Sequence, residues 1–318
     1  GLCFATNHYK KTTMFTLVTG GAGFIGSHSV EHLLAAGGRV RVLDNLSSGK
    51  RANLAVHPQL EFIEGDIRDA AVVGAALAGG VTHVLHLAAQ VSVATSVEQP
   101  IESASHNLTG FLNVLDGARR TGVTKLVYAS SAAVYGTPAH LPLTEASPVA
   151  PLSPYGLEKS INDQYARLYE SLYGFATMGM RFFNVYGPRQ DPRSPYSGVI
   201  SIFSDRIRRG EPLTVNGDGG QTRDFVYVGD VARANLAALG SARTGVCNVA
   251  TGKTVTLLEL IAALGTAAGK QPEVRFGPER SGDIRDSAAD PKRMRDELGI
   301  ANTTALADGL GKLLESLA

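Results

Sequence analysis

From Met14 onward, short runs of apolar and β-branched residues alternate with longer helix-like runs. The short runs cover residues 15–19, 39–43, 60–64, 83–87, 125–129 and 176–181, and each predicts a buried strand. Between them, residues 24–36, 69–77, 100–121 and 155–173 predict helices. Strands that alternate with helices need crossover connections, so the pattern predicts an α/β fold with a doubly wound parallel sheet. After Arg181 the alternation breaks into the Pro- and Gly-rich stretch YGPRQDPRSPYSG, which marks a smaller α/β second domain. Residues 224–228 and 247–249 still read as strands and 229–240 as a helix, so segments near 224–250 are expected to return to the first domain. Helices at 257–268 and 303–317 close the chain. The division expected is residues 14–182 for the first domain and 183–318 for the second.

Composition narrows the class. A chain of 318 residues with 44% hydrophobic content has enough apolar mass for a sizeable core. Thirty basic against twenty-nine acidic residues leave a net charge of +1, too little for a field that would gather nucleic acid or a membrane surface. The longest apolar stretch, residues 70–81, is broken by glycine and too short to span a bilayer. Two cysteines, Cys3 and Cys247, are too few for a disulfide framework or a thiolate metal site, and a cytoplasmic location is expected. Residues 1–13 carry no pattern and are expected to be a tag remnant or an upstream extension.

The first chemistry sits at the end of the first strand. Gly20, Gly23 and Gly26 in TGGAGFIG join that strand to the first helix, around Phe24 and Ile25. Such glycines allow a tight turn and close backbone approach, and the helix N-terminus offers free N–H groups to a pyrophosphate, a Rossmann-type dinucleotide site. Asp44 follows the second strand, eighteen residues past Gly26, where a carboxylate accepts both ribose hydroxyls and repels a 2′-phosphate. NAD is therefore the cofactor expected. Asn45 is its neighbour in the expected contact set. Asp66, ahead of Ile67, either caps the next helix or reaches the adenine. The small Ala88 and Ala89 after Leu87 let a cofactor lie against the backbone.

The second chemistry is Tyr155 and Lys159, four residues apart on a helix and so on one face. An ammonium beside a phenol stabilises the phenolate, which makes tyrosine a usable base near neutral pH. Ser130 and Ser131 end the fifth strand on the same rim and can bridge the phenol to a substrate oxygen. His83 and His86 sit in a strand run without ligand spacing and read as core or strand-end residues; no metal is expected.

TGGAGFIGSH, GDIRD, HLAAQ, SSAAVYG, SPYGLEK, RFFNVYGPRQ, GDGGQTRDFVYVGD and RSGDIRDS in this order resemble the extended short-chain dehydrogenase/reductase family. Within it, the likeness is to the UDP-galactose and UDP-N-acetylglucosamine 4-epimerase group. The resemblance implies an isomerase in which Tyr155 is the base, Lys159 its electrostatic tuner and ribose clamp, and Ser131 the hydroxyl at the sugar 4-oxygen, with Ser130 beside it. It implies hydride transfer from C4 to bound NAD, a 4-keto sugar that pivots, and hydride return to the other face. Asn107 joins the cofactor contacts, whereas Val91 stands where some epimerases carry a lysine. Ala132 and Ala133 occupy positions where the related dehydratases and decarboxylases place carboxylates, which leaves epimerisation as the residual chemistry.

For the substrate, the resemblance implies a diphosphate contact at Asn184, phosphate and ribose contacts at Arg223, Arg280 and Asp283, and uracil-flanking positions at Thr214 and Asn216. Surface pairs Arg223–Asp224 and Arg280–Glu279 are the competing reading, and Arg206, Arg208 and Arg209 read as a solvated helix face. Ser287 falls where the group walls its hexose pocket; a small side chain there admits a 2-acetamido group. Ser92 either bonds that amide or caps a helix. The resulting expectation is interconversion of UDP-GlcNAc and UDP-GalNAc, with UDP-glucose and UDP-galactose as further substrates, in polysaccharide precursor supply. The alternatives are a nucleotide-sugar dehydratase or reductase of the same fold, and a non-catalytic dinucleotide sensor. The resemblance also implies a homodimer paired through a four-helix bundle of the helices at 100–121 and 155–173.

Overall fold

The computed structural model describes residues 14–194, 198–280 and 282–318; the expectation for residues 1–13 lies outside them. In chain order, β1 (Phe15–Thr19), α1 (Phe24–Ala35), β2 (Arg39–Asp44), β3 (Leu60–Glu64), α2 (Ala70–Leu77) and β4 (His83–His86) come first. Then follow α3 (Val93–Glu98), α4 (Pro100–Ala104), α5 (Phe111–Arg120), β5 (Lys125–Ser131), α6 (Pro154–Tyr173) and β6 (Thr177–Phe182). The remainder is β7 (Asn184–Tyr186), α7 (Val199–Arg209), β8 (Leu213–Asn216), β9 (Thr222–Tyr227), α8 (Val228–Gly240), β10 (Gly245–Val249), β11 (Thr254–Thr256), α9 (Leu257–Ala268), β12 (Val274–Gly277), α10 (Lys292–Leu298) and α11 (Leu306–Leu317).

Seven strands form one parallel sheet in the order β10-β6-β5-β4-β1-β2-β3. The order reverses between β1 and β4, so the carboxyl ends of those strands open a crevice where such folds bind ligands. The sheet is Rossmann-like, and apolar side chains such as Val42, Leu85 and Met180 on one face and Leu17, Val84 and Leu126 on the other explain its strand runs. β10 reaches this sheet from beyond position 240 by pairing with β6, while α8 packs on α1 through a bond from Asn235 Nδ2 to Ser29 Oγ (3.2 Å). The rest of the second half builds β11-β9-β7 and β12-β8 around its own core of Phe203, Leu213, Leu260 and Leu310.

Three elements of the first half differ from expectation. The predicted helix at 100–121 is interrupted by a π-helical turn at Ser105–Gly110. There Asn162 Nδ2 donates to the Asn107 carbonyl (2.8 Å), and a side chain inserted into the ladder widens the turn. The predicted start of α2 at Asp69 is instead its cap, whose carboxylate accepts from Ala71 N (2.9 Å). α3 is an unpredicted short helix capped by Ser92.

Candidate active site

The turn between β1 and α1 is held by shape. Gly20 has φ +69°, and a Cβ there would lie 2.7 Å from Ala88 N; one at Gly26 would lie 2.0 Å from Gly20 O. A larger residue at position 20 would push the turn off the segment after β4, and one at position 26 would push α1 off the turn, so the glycines keep the backbone close at this end of the groove. Asp44 ties the same turn to β2, its Oδ2 accepting from Ala22 N (3.0 Å) and its Oδ1 from Leu46 N (2.8 Å). Thr19 completes the cradle. Its hydroxyl accepts from Leu87 N and Ala88 N (both 3.2 Å), so its proton goes to His86 Nδ1 at 2.7 Å. Burial pushes His86 down to about 3, helped by the Lys159 charge, so the ring is neutral.

Above this cradle opens a cavity of about 1420 Å³. Its wall includes Gly20, Gly23, Phe24, Ile25 and Gly26, then Asp44, Asn45, Ile67, Leu87, Ala88 and Ala89, and finally Ser92, Ser130, Ser131, Tyr155, Lys159 and Asn184. A groove that side chains would block, a helix N-terminus and an anchored carboxylate fit a dinucleotide. Asp66 stands behind the wall, paired with Arg68 (2.8 Å) and bonded by Asn45 Nδ2 (3.2 Å), which hold its carboxyl well below the usual range. It therefore does not cap α2. Asn107 is also behind the wall, spent on Gln90 N (2.9 Å), Gln90 O (2.8 Å) and Glu158 (2.7 Å); its neighbour His106 is the one that reaches the cavity.

Tyr155 and Lys159 enter on the first turns of α6. Ser153 caps that helix at Gly156 N (3.1 Å), and Ser96 Oγ accepts from Tyr155 N (3.0 Å), which sets the depth at which the phenol emerges. Gly156 is required there, since a Cβ would lie 2.6 Å from Ala133 O. Lys159 is 4% exposed; its Nζ donates to Ala129 O at 2.9 Å and lies 5.7 Å from the centroid of the Tyr155 ring. Burial pushes the amine down to about 8 against the pull of Asp163 and Glu158. The phenol moves in the direction opposite to the sequence-based expectation: burial raises it, and the Ser131 hydroxyl only partly offsets this. The Lys159 amine is engaged by a backbone carbonyl, and the groups acting on the phenol beside burial are the Ser131 hydroxyl and the Glu158 charge. Ser131 also caps the turn at Ala132–Val134 through Ala133 N (3.1 Å). Ser130 is buried and faces Asp163 without closing a hydrogen bond of its own.

Ser92 caps α3 through Thr95 N (2.9 Å), the helix-cap reading, and it also lines the cavity. Thr214, Asn216, Arg223, Arg280, Asp283 and Ser287 do not line it. Arg223, Asp283 and Ser287 lie on a separate shelf where the segment after β12 runs along β9, with Ser287 N donating to Thr222 O (3.2 Å) and the carboxylates of Asp283 and Asp286 near Arg223, while Thr214 and Asn216 sit on β8 beside β12. Neither competing surface pair forms among the described residues. Arg223 donates to Thr222 O (2.7 Å), and Asp224 is buried and accepts from Thr251 and Gly252. The arginines of α7 are not simply solvated: Arg208 and Arg209 pair with the buried Asp205, Arg206 donates to Pro212 O (3.1 Å), and Arg208 lines the cavity. Arg189 and Gln190 also line it and went unnoticed; Arg189 adopts φ +71°, for which a non-glycine residue gives no sequence signal. No group of His, Cys, Asp and Glu suited to a metal occurs among the described residues.

This geometry has close counterparts. The UDP-glucose 4-epimerase of Mycolicibacterium smegmatis is 42% identical over 307 residues, covering 95% of this chain and 98% of its own. Among solved structures, the UDP-N-acetylglucosamine 4-epimerase from Methanobrevibacter ruminantium M1, in complex with UDP-N-acetylmuramic acid, superposes with a TM-score of 0.91 at 36% identity, covering 96% and 98% of the two chains. The Thermus thermophilus UDP-glucose 4-epimerase in complex with NAD gives 0.88 at 43% identity, covering 95% and 98%. Residues 16–250 match the profile described as the NAD dependent epimerase/dehydratase family. The cradle for a dinucleotide, the Tyr155–Lys159 pair on its rim and these likenesses lead to one assignment: the chain belongs to the NAD dependent epimerase/dehydratase family.

Proposed function

We propose that this enzyme is a UDP-sugar 4-epimerase that interconverts UDP-GlcNAc and UDP-GalNAc, and accepts UDP-glucose and UDP-galactose as well, through a 4-keto sugar. The observation that carries the reading is the rim itself: Ser131, Tyr155 and Lys159 line one cavity, and alanines stand where an additional acid would have to follow Ser131. The glycine turn and Asp44 would hold the dinucleotide, and Lys159 its ribose. NAD, when bound, supplies a reversible acceptor for the hydrogen at the sugar C4. Tyr155 takes the 4-hydroxyl proton and later returns it, with Ser131 bridging phenol and sugar oxygen. Burial raises the phenol and the Ser131 hydrogen bond works against it, so Tyr155 must shed its own proton before the forward step, and the positive charges of Lys159 and of bound NAD would favour that ionised form.

The acetylated pair rests on the resemblance at Ser287, a short side chain at the position of the group's hexose wall that lies outside the cavity lining, and on Ser92, which lines the cavity. Arg223, Arg280, Asp283, Thr214 and Asn216 would then grip the nucleotide on their shelf, with Asn184 at the diphosphate between shelf and cavity. Incubating the purified protein with UDP-GlcNAc and separately with UDP-glucose, with Tyr155→Phe as control, tests both levels. An isomer of unchanged mass from UDP-GlcNAc, and none from the variant, is expected. A product lighter by water would replace epimerase by dehydratase, and turnover of UDP-glucose alone would remove the acetyl preference.

Two further parts of the reading concern assembly and place. Exposed Leu157, Tyr165, Leu168 and Leu172 on α6, with Val97 on α3 and Ile101 on α4, form an apolar face suited to a homodimer in which α4–α5 and α6 of two copies make a four-helix bundle. Sedimentation as a monomer would remove it. A cytoplasmic location agrees with the free buried Cys247 and with the lack, among the described residues, of a helix long and apolar enough to cross a membrane. Recovery outside the cytoplasm on fractionation would refute it.

A further inference from the structure

Helix α6 and strand β5 meet in a regular ladder that continues beyond the residues the reaction needs. Tyr155, Lys159 and Asp163 are spaced by four and share one face of α6. Tyr155 meets Ser131, Lys159 Nζ meets Ala129 O at 2.9 Å, and Asp163 Oδ1 accepts from Tyr128 Oη at 2.8 Å. The helix thus descends one turn at each step while the strand retreats from its carboxyl end. At the third rung Asp163 also holds the buried Arg181 of β6, by Nε (3.1 Å) and Nη2 (3.0 Å). Arg181 Nη1 donates in turn to Tyr135 Oη (2.9 Å), which donates to Asn248 Oδ1 of β10 (2.5 Å). Three strands of the sheet are therefore fastened to α6 one turn below the reactive pair.

We propose that Asp163 is a positioning residue for Lys159: its carboxylate, clamped by Tyr128 and Arg181, supplies the counter-charge for the ammonium and pins α6 at the depth where that ammonium reaches Ala129. A buried ammonium with one carbonyl partner needs such a charge, because removal from water disfavours its charged form. Burial pushes Lys159 down to about 8, with Asp163 first among the groups that resist. The other groups around it are few. On α6, Tyr155 lies under the amine and Glu158 adds a second negative charge, itself bonded by Ser103 (3.0 Å) and Asn107 (2.7 Å). On β4, His86 is neutral; on β5, the side chains are the Ser130, Ser131 and Tyr128 hydroxyls; on β6, Arg181 is paired with Asp163. From the other elements packed on α6, Glu98 of α3 is exposed, Glu102 of α4 pairs with His106 of the π-helical turn (3.1 Å), and Cys247 of β10 is buried and uncharged.

The proposal rests on the role given to Lys159, but its test does not need activity. In protein labelled with 13C at the lysine side chains, the Cε resonance of Lys159 is assigned by its loss in Lys159→Met, and its chemical shift is followed with pH. Asp163→Asn is expected to lower the titration midpoint by about one pH unit, since it removes the counter-charge and leaves the Arg181 charge uncompensated. Asp163→Asn with Arg181→Gln should fall between that variant and the parent. A midpoint in Asp163→Asn equal to the parent's overturns the proposal and leaves Asp163 a purely structural partner of Arg181. If the unpaired Arg181 prevents the single variant from folding, the double variant decides alone: a midpoint below the parent's supports the proposal, and an equal one overturns it. A shifted midpoint in a protein that epimerises nothing would count against the role of Lys159 and not against the counter-charge.

Discussion

The dinucleotide cradle and the shelf along β9 hold their candidate ligand groups in opposite ways. In the cradle the decisive atoms are backbone, and the side chains that matter are already fixed: Asp44 accepts one bond on each oxygen, from Ala22 and Leu46, which leaves it further acceptor capacity, and Thr19 spends its hydroxyl three ways. On the shelf the groups are long or exposed side chains, with Arg280 and Asp283 exposed and Arg223 held mainly by backbone carbonyls. On the proposed reading of the shelf as the place of the nucleotide, the difference teaches that the two ends of the site divide the labour. A cofactor that stays bound through every turnover suits a preformed mould, whereas a substrate that must enter, rotate and leave suits a surface that can let go.

The sharpest way to break this contrast is in the mould. Gly26→Ala would place a methyl group 2.0 Å from Gly20 O, where neither backbone can yield cheaply. It is expected to cost about 3 kcal/mol of stability and to abolish NAD retention, read by thermal melting and by mass spectrometry of ligands released on denaturation. Full NAD occupancy in that variant would show the cradle to be adaptable after all.

A second effect belongs to the same half and depends on acid. His86 titrates near 3 in the folded chain against an ordinary 6.5, so between those values the unfolded chain takes up a proton that the folded one refuses. Stability is complete above pH 6.5 and is lost as pH falls through that window, by at most about 1.4 kcal/mol per pH unit from this group. Denaturant titrations between about pH 7 and 4 should show a shallower slope for His86→Asn than for the parent; equal slopes would assign the acid sensitivity elsewhere.

The smallest expected effect lies on the shelf. Arg223→Gln keeps a donor but loses the charge, and should raise KM for the UDP-sugar about tenfold with kcat and NAD content unchanged. Loss of NAD together with KM would join the two regions that the comparison separates.

Most of the scaffold was legible because its signals are local. Apolar runs such as that of β1 and helical runs such as residues 155–173, which fold as α6, depend on residues a few positions apart. The glycine turn and the Tyr155–Lys159 spacing belong to the same class, so the residues gathered on one cavity wall could be named in advance. What escaped notice was set from a distance. The π-helical turn exists because Asn162, fifty-five residues on, donates to the Asn107 carbonyl, and Asn107 is thereby committed to Gln90 and Glu158 instead of the cavity. β8 and β12 pair with each other across roughly sixty positions, so their short runs carried no periodic signal of their own.

By itself, then, the sequence determined the order of strands and helices, the glycine-lined turn and the presence of a phenol and an amine on one helical face, because sterics and periodicity act over a few neighbouring residues. Tertiary structure alone decided the electrostatic state of that pair. Burial, a carbonyl from β5 and the Ser131 hydroxyl set most of it, and each comes from a part of the chain that only folding brings within reach, while the charges of Asp163 and Glu158 come from the helix itself.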